Sequence, residues 1–283
     1  MLTTLKHCRQ VFASLDAERR PWFPHWQEVA EYFLPRRYPW LGKQGESATA
    51  NRRNTKLLDS TSTLAVRTLA SGMMSGITSP ARKWFRLRVS GFSPEGMSDE
   101  AKLYLEEVQR RLLLLMAETN LYNALSVLYL EWCTFGTAAM TIYEDFDDVF
   151  RCYNHPLGEF YLGQDNTQRV QRFARRFEFT LEQMVLEFGL DALSKNLQMR
   201  YGKGDGQSRF EKYEVCHLIE ANADDGMLPG STSRWREMYW EAAAGDNDTY
   251  LRTTPLYEWP AITPRWELIG ADSYGVSPAM DRL

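Results

Sequence analysis

From the amino terminus, apolar residues recur at spacings of three and four until about residue 136, where alternation takes over and predicts strands. Leu5, Cys8, Phe12 and Leu15 share one helical face, and Trp22, Trp26, Val29, Ala30 and Phe33 form a second, beyond Pro21 and before Pro35. Two helices, or one kinked at the prolines, fit this pattern. Residues 36–53 are polar, contain glycine and are basic at both ends, which predicts a loop. The stretch around which the chain is organised, residues 57–87, opens as a helix with Leu57, Leu58, Ala65, Leu69, Met73 and Ile77 turned inward. Ser79-Pro80 ends it, because proline disfavours helical geometry in the residue before it. Ala70, Ser71, Gly72, Ser75 and Gly76 lie close together on it, so it is expected to receive a neighbouring backbone at short range.

Phe85, Leu87 and Val89 alternate as in a short strand. Ser98 is placed to cap a helix with Asp99 and Glu100 in its first turn and Ala101, Tyr104, Leu105, Val108, Leu112 and Leu115 inward. Thr119-Asn120 interrupts it, and a second helix buries Leu121, Ala124, Leu125, Leu128, Trp132 and Phe135 before Gly136. So short a break predicts antiparallel packing of the two. Residues 137–143, 149–154, 159–162 and 170–179 read as one small antiparallel sheet. Thr180 with Gln183 forms a capping box for a helix that carries Leu181, Met184, Val185 and Phe188, and a last short helix covers 192–201. Residues 202–208 are a glycine-rich connection, and strands at 213–220, 234–240 and 249–256 make a second β-rich unit. Pro278 after Ser277 suits the first turn of a final helix. The fold class is α+β: a helical amino-terminal part packed on a small antiparallel sheet, then a β-rich segment, with domains at 1–202 and 203–283.

Charge changes this picture. Residues 1–90 hold fifteen Lys/Arg against six Asp/Glu, a net +9, so the remainder carries −13 to reach the total of −4. Oppositely charged halves suit head-to-tail contact between copies, and such contacts close into rings. Arg36, Arg37, Arg52, Arg53 and Lys56 flank the early loop, and Arg82, Lys83, Arg86 and Arg88 surround Trp84-Phe85. These cations could meet nucleic-acid phosphates without reading bases, or pair with the acidic part of a neighbouring subunit. The candidate contacts are Arg52, Arg53, Lys56, Arg82, Lys83, Arg86 and Arg88.

No reacting constellation is legible. The chain has no G-x-S-x-G elbow and no phosphate loop; Gly202, Gly204 and Gly206 sit in a polar connection. Cys152 and His155 have metal-ligand spacing, and Cys216-His217 are adjacent, but neighbours on a strand point to opposite faces and make poor joint ligands. Glu144, Asp145, Asp147 and Asp148 lack the glycine and spacing of a calcium loop and read as a solvated hairpin turn. His7 and His25 have no paired nucleophile. No catalytic, cofactor-binding or metal residue is assigned, and no cofactor is expected. Four scattered cysteines suggest reduced thiols in a cytosolic compartment, and no apolar run approaches the roughly 20 residues a membrane helix requires.

The succession Arg20, Trp26, Glu28, Ala30, Tyr32 and Pro35, then LLDSTSTLAVRTLASGMMSGITSPARKWFRL, then Asn120-Leu121-Tyr122 and Phe135-Gly136-Thr137-Ala138-Ala139, is similar to the portal, or head-to-tail connector, proteins of T7-like short-tailed bacteriophages. PLGEFY at 156–161, Arg176 with TLEQM at 180–184, PAITPRW at 260–266 and YGVSPAM at 274–280 extend the resemblance in order along the chain. The resemblance implies a structural subunit of a ring of about twelve copies at one capsid vertex. Double-stranded DNA would pass through the ring non-specifically during packaging and ejection. Partners would be the terminase packaging motor, the tail adaptor, and scaffold and capsid proteins, with no membrane. The location would be the virion, after host cytoplasm during assembly. Residues 1–202 would be wing-like and 203–283 would approach the stem and clip. Family members continue past YGVSPAM through channel-lining helices and a crown, which implies a chain shortened at its carboxy-terminal side. A rival expectation is a free-standing non-specific nucleic-acid-binding module built on the basic amino-terminal third.

Overall fold

The computed structural model describes residues 5–37, 59–89, 96–202, 208–222, 233–245 and 250–282. Helix α1 (Leu5–Arg19) buries Leu5, Cys8, Val11, Leu15 and Arg19. A 3-10 turn over Arg20–Trp22 with Pro21 near its start leads into α2 (Phe23–Phe33), so the prolines separate two helices. The buried Arg19 guanidinium donates to the carbonyl oxygens of Phe160 at 2.7 Å and Gly158 at 3.2 Å and lies 3.8 Å from the Tyr161 ring centroid. A buried cation is tolerated because carbonyls and an aromatic face replace its water.

Helix α3 (Thr61–Ile77) begins where Asp59 Oδ1 accepts from the Thr61 N–H at 3.0 Å and stops before Pro80. Leu57 and Leu58, expected inside it, lie outside the described residues. The Ser62 and Thr63 hydroxyls donate to the carbonyls of Tyr32 and Phe33, which have no helical partner at the end of α2. The inward row of α3 is Val66, Ala70 and the half-buried Met73 and Met74, packed on a later helix. This corrects the expected face: Ala65, Leu69 and Ile77 are exposed, and a Cβ on Gly72 or Gly76 would meet nothing. Of the small-residue stripe only Ala70 faces inward; Ser71, Gly72, Ser75 and Gly76 point outward, because the methionines claim the inner side.

Helix α4 (Asp99–Glu118) starts at Ser98, whose Oγ accepts from the Ala101 N–H at 3.3 Å. Helix α5 (Leu121–Phe135) follows at a bend of 73°, not as an antiparallel partner. The Asn120 carboxamide explains the bend: its Nδ2 donates to the Cys152 carbonyl at 2.8 Å and its Oδ1 accepts from the Cys152 N–H at 2.9 Å. That ties the start of α5 to a strand and lets α4 project, so Tyr104 and Leu103, on a helix expected to be well covered, are 69% and 66% exposed.

The strands among the described residues are β1 (Ala139–Asp145), β2 (Val149–His155), β3 (Phe160–Gln164), β4 (Val170–Thr180), β5 (Lys212–Ala221), β6 (Trp235–Glu241), β7 (Arg252–Leu256) and β8 (Ala261–Ile262). They form two antiparallel sheets, β2-β1-β8 and β3-β4-β5-β6-β7. The single sheet expected over 137–179 is therefore split, with β3 and β4 joining the later strands. Helices α6 (Leu181–Phe188), opened by the Thr180–Gln183 capping box, and α7 (Lys195–Gly202) connect β4 to β5. Residues 202 and 203, the expected domain boundary, fall in that connection between two paired neighbours. The five-stranded sheet is covered on both faces, by α1 over Tyr161, Ala174, Leu218 and Trp240 and by α2 and α5 over Phe160, Leu162, Phe173 and Ile219. Its strands are therefore apolar on both sides, which hides their partners from the alternation pattern.

Gly136 closes α5 with φ 72°, and the carboxy-terminal stretch packs on it: Trp266 N–H donates to the Gly136 carbonyl at 2.7 Å and Gly275 N–H to Thr137 Oγ1 at 2.8 Å. A Cβ at Gly136 would overlap the Gly275 carbonyl oxygen, whereas at Gly189, also at positive φ, it would meet nothing. Alanine at Gly136, in the left-handed helical region, carries a conformational cost of about 1–2 kcal/mol, and at Gly189, at φ 84° and ψ 152°, about 1–3 kcal/mol. Gly136→Ala should lower the melting temperature clearly more than Gly189→Ala; equal losses would contradict the close approach.

Candidate functional site

Of the seven candidate contact residues, Arg52, Arg53 and Lys56 lie outside the described residues. Arg82, Lys83, Arg86 and Arg88 are exposed on an extended segment that follows α3. The strand expected over 85–89 makes no ladder; side-chain packing holds the segment, with Trp84 Nε1 donating to Tyr122 Oη at 3.1 Å and the Trp84 and Phe85 rings 4.9 Å apart. Arg82 turns back and donates to the Ser75 carbonyl at the end of α3, a favourable place for a cation. Lys83, Arg86 and Arg88 instead line a cleft of about 300 Å³ against α4, which adds Lys102. Arg37 is drawn away from the basic group, to Glu131 at 3.2 Å. Burial pushes the Glu131 carboxyl up to about 7 despite that cation. Lys102 carried no distinguishing signal in the sequence, because the cleft exists only through the bend that frees α4.

A second polar constellation lies between the two sheets. His155 and His217, considered above as metal ligands, meet around Arg175: its guanidinium donates to His155 Nδ1 at 2.6 Å and to His217 Nδ1 at 3.2 Å. Guanidinium nitrogens only donate, so His217 accepts on Nδ1 and carries its proton on Nε2, which donates to Glu237 Oε1 at 2.8 Å. Arg175 Nη1 also lies 3.2 Å from His155 Nε2, which faces Thr141 Oγ1 at 2.8 Å. The same oxygen accepts from Tyr143 at 2.6 Å and Tyr239 at 2.9 Å. Burial and the nearby guanidinium drive His155 well below its usual value, and burial brings His217 down to about 4 against the pull of Glu237. Burial opposes ionisation of Glu237, but its three donors outweigh that and hold it at about 2. Cys152 and Cys216 belong to other apolar clusters. Among the described residues no group of three or more His, Cys, Asp or Glu is placed to hold a metal ion. Thr141, His155, His217, Glu237 and Tyr239 are buried and Tyr143 and Arg175 half-buried, and what the constellation does is fasten one sheet to the other. Sequence reasoning missed Arg175 because its contact with His217 follows from the β4–β5 register, which no local signal reveals.

The protein is thus a two-sheet α+β fold joined by a polar seam, with exposed basic and apolar surfaces. Its sequence matches the family described as bacteriophage head to tail connecting protein over residues 5–283, and the chain belongs to that family. It is 38% identical over 278 residues to a probable portal protein of Bordetella phage BPP-1, covering 96% of this chain and 48% of that protein. It is likewise 38% identical over 266 residues to the portal protein of Salmonella phage epsilon15, covering 94% and 47%. The chain thus spans about half the length of these relatives. The family is structural, not enzymatic.

The neutral histidines set a pH dependence. Above pH 6.5 His217 is neutral folded and unfolded; as pH falls from 6.5 to about 4 only the unfolded chain takes the proton, so stability is lost. His217→Gln should make the slope of unfolding free energy against pH in that window less positive by up to about 1.4 kcal/mol per pH unit. Denaturant titrations across the window read it directly, and an unchanged slope would contradict a neutral His217.

Proposed function

We propose that this chain is the wing and stem-proximal part of a phage portal subunit, with residues 1–202 forming the wing and 203–283 leading toward stem and clip. Its work is assembly: self-association head to tail into a ring of about twelve at a capsid vertex. Double-stranded DNA is conducted non-specifically through that ring, and the terminase motor and the tail adaptor dock to it. The observation that carries the reading is the match to two portal proteins along 94–96% of the chain. The opposite charges of its two parts and the outward small-residue face of α3 support it. Arg82, Lys83, Arg86 and Arg88, with Arg52, Arg53 and Lys56, are assigned to contacts with an adjacent subunit or with DNA. A family match over residues 5–283 does not favour a free-standing nucleic-acid-binding module made of the basic third alone.

Native mass measurement of the purified chain over a concentration series tests this. A closed species of about twelve copies is expected. A chain that stays monomeric throughout would contradict self-association through these residues.

A further inference from the structure

A basic cleft and an acidic hairpin tip on this chain are built as a socket and a plug. The plug is the tip of the β1–β2 hairpin, Glu144-Asp145-Phe146-Asp147-Asp148. Asp145 Oδ1 accepts from the N–H groups of Asp147 at 2.9 Å and Asp148 at 3.0 Å, and Val149 follows at φ 70°, so the turn is held in one shape. Phe146 stands out from it at 111% relative exposure, flanked on both sides by carboxylates. An aromatic ring so presented covers nothing among the described residues.

The cleft has the complementary chemistry. Lys83, Arg86, Arg88 and Lys102 provide its charge, and Leu87, Met97 and Leu105 provide apolar wall; Glu106 also borders it. Gln109 lines it too and is 7% exposed. Duplex DNA would engage the cations and leave the apolar wall unused. A phenylalanine ringed by carboxylates uses both.

We propose that the β1–β2 hairpin of one copy seats in the cleft of the next, Phe146 against Leu87, Met97 and Leu105, and Asp147 and Asp148 opposite Lys83 and Arg86. Plug and cleft are different surfaces of one chain, so the contact is head to tail and repeats around a ring. The inference rests on the ring reading above and names the contact that closes it.

Disulfide trapping tests it. Lys83→Cys and Asp147→Cys chains are mixed and mildly oxidised; burial pushes the native Cys8, Cys133 and Cys152 thiols up to about 11 and Cys216 to about 12, so they stay unreactive. A disulfide joining the two variants is expected. Reversing Lys83 and Arg86 to Glu should weaken association at least roughly tenfold, and Asp147→Lys with Asp148→Lys in the same chain should restore it. Both sets of residues are exposed, so the monomer should keep its circular dichroism and melting temperature. A wild-type ring with no 83–147 disulfide, unaffected by the reversals, would overturn the hairpin seat and leave the ring reading standing. Absence of any wild-type assembly would overturn both. Reversals that abolish low-salt DNA binding but spare the ring would reassign the cleft to phosphate.

Discussion

Glu237 joins the two sheets. Its carboxylate is 4% exposed and accepts from Tyr143 on the three-stranded sheet and from His217 and Tyr239 on the five-stranded one. A lone carboxylate in such a place would cost several kcal/mol, so the site is stable only with all its donors present. The balancing cation is Arg175, one imidazole away: neutral His217 accepts from Arg175 on one nitrogen and donates to Glu237 from the other. Apolar residues of similar size could hold the sheets as firmly, but they would permit sliding. Directional hydrogen bonds fix the relative placement of the sheets, a role in specificity more than in strength.

That placement reaches the surface. Tyr143 lies two residues before Asp145, so the seam anchors the hairpin just beneath its exposed tip. On the helical side, Asn120 performs a similar service by holding α5 to β2 and releasing α4 outward. The consequence is a subunit with rigid internal joints and uncovered apolar side chains, among them Leu64 at 64%, Ile77 at 50% and Phe146 at 111% exposure.

Features decided within a few residues were legible in the sequence: the Ser98 cap, the Pro80 stop, the Gly136 turn and the Thr180–Gln183 box each depend on chemistry their neighbours supply. Features decided by partners far along the chain were not. The pairing of β4 with β5 is hidden by two intervening helices and by burial on both faces. The orientation of α3 is hidden because its apolar and small residues are mixed around the helix: Met73 packs inward as expected, but Val66, Ala70 and Met74 join it in place of Leu69 and Ile77. At the candidate surface, Lys83, Arg86 and Arg88 stood out by charge alone. Lys102 and Gln109 join them only because Asn120 bends the chain, and the acidic turn at 144–148, read as merely solvated, gains meaning only beside that cleft.

The seam through Glu237 couples the two sheets, and a double-mutant cycle measures that coupling. Tyr143→Phe and Glu237→Gln each remove one partner across the seam, and equilibrium unfolding of both single variants and the double variant gives the interaction energy. A coupling of about 1–3 kcal/mol is predicted. Losses that add within roughly 0.5 kcal/mol would show that the sheets are held without this contact.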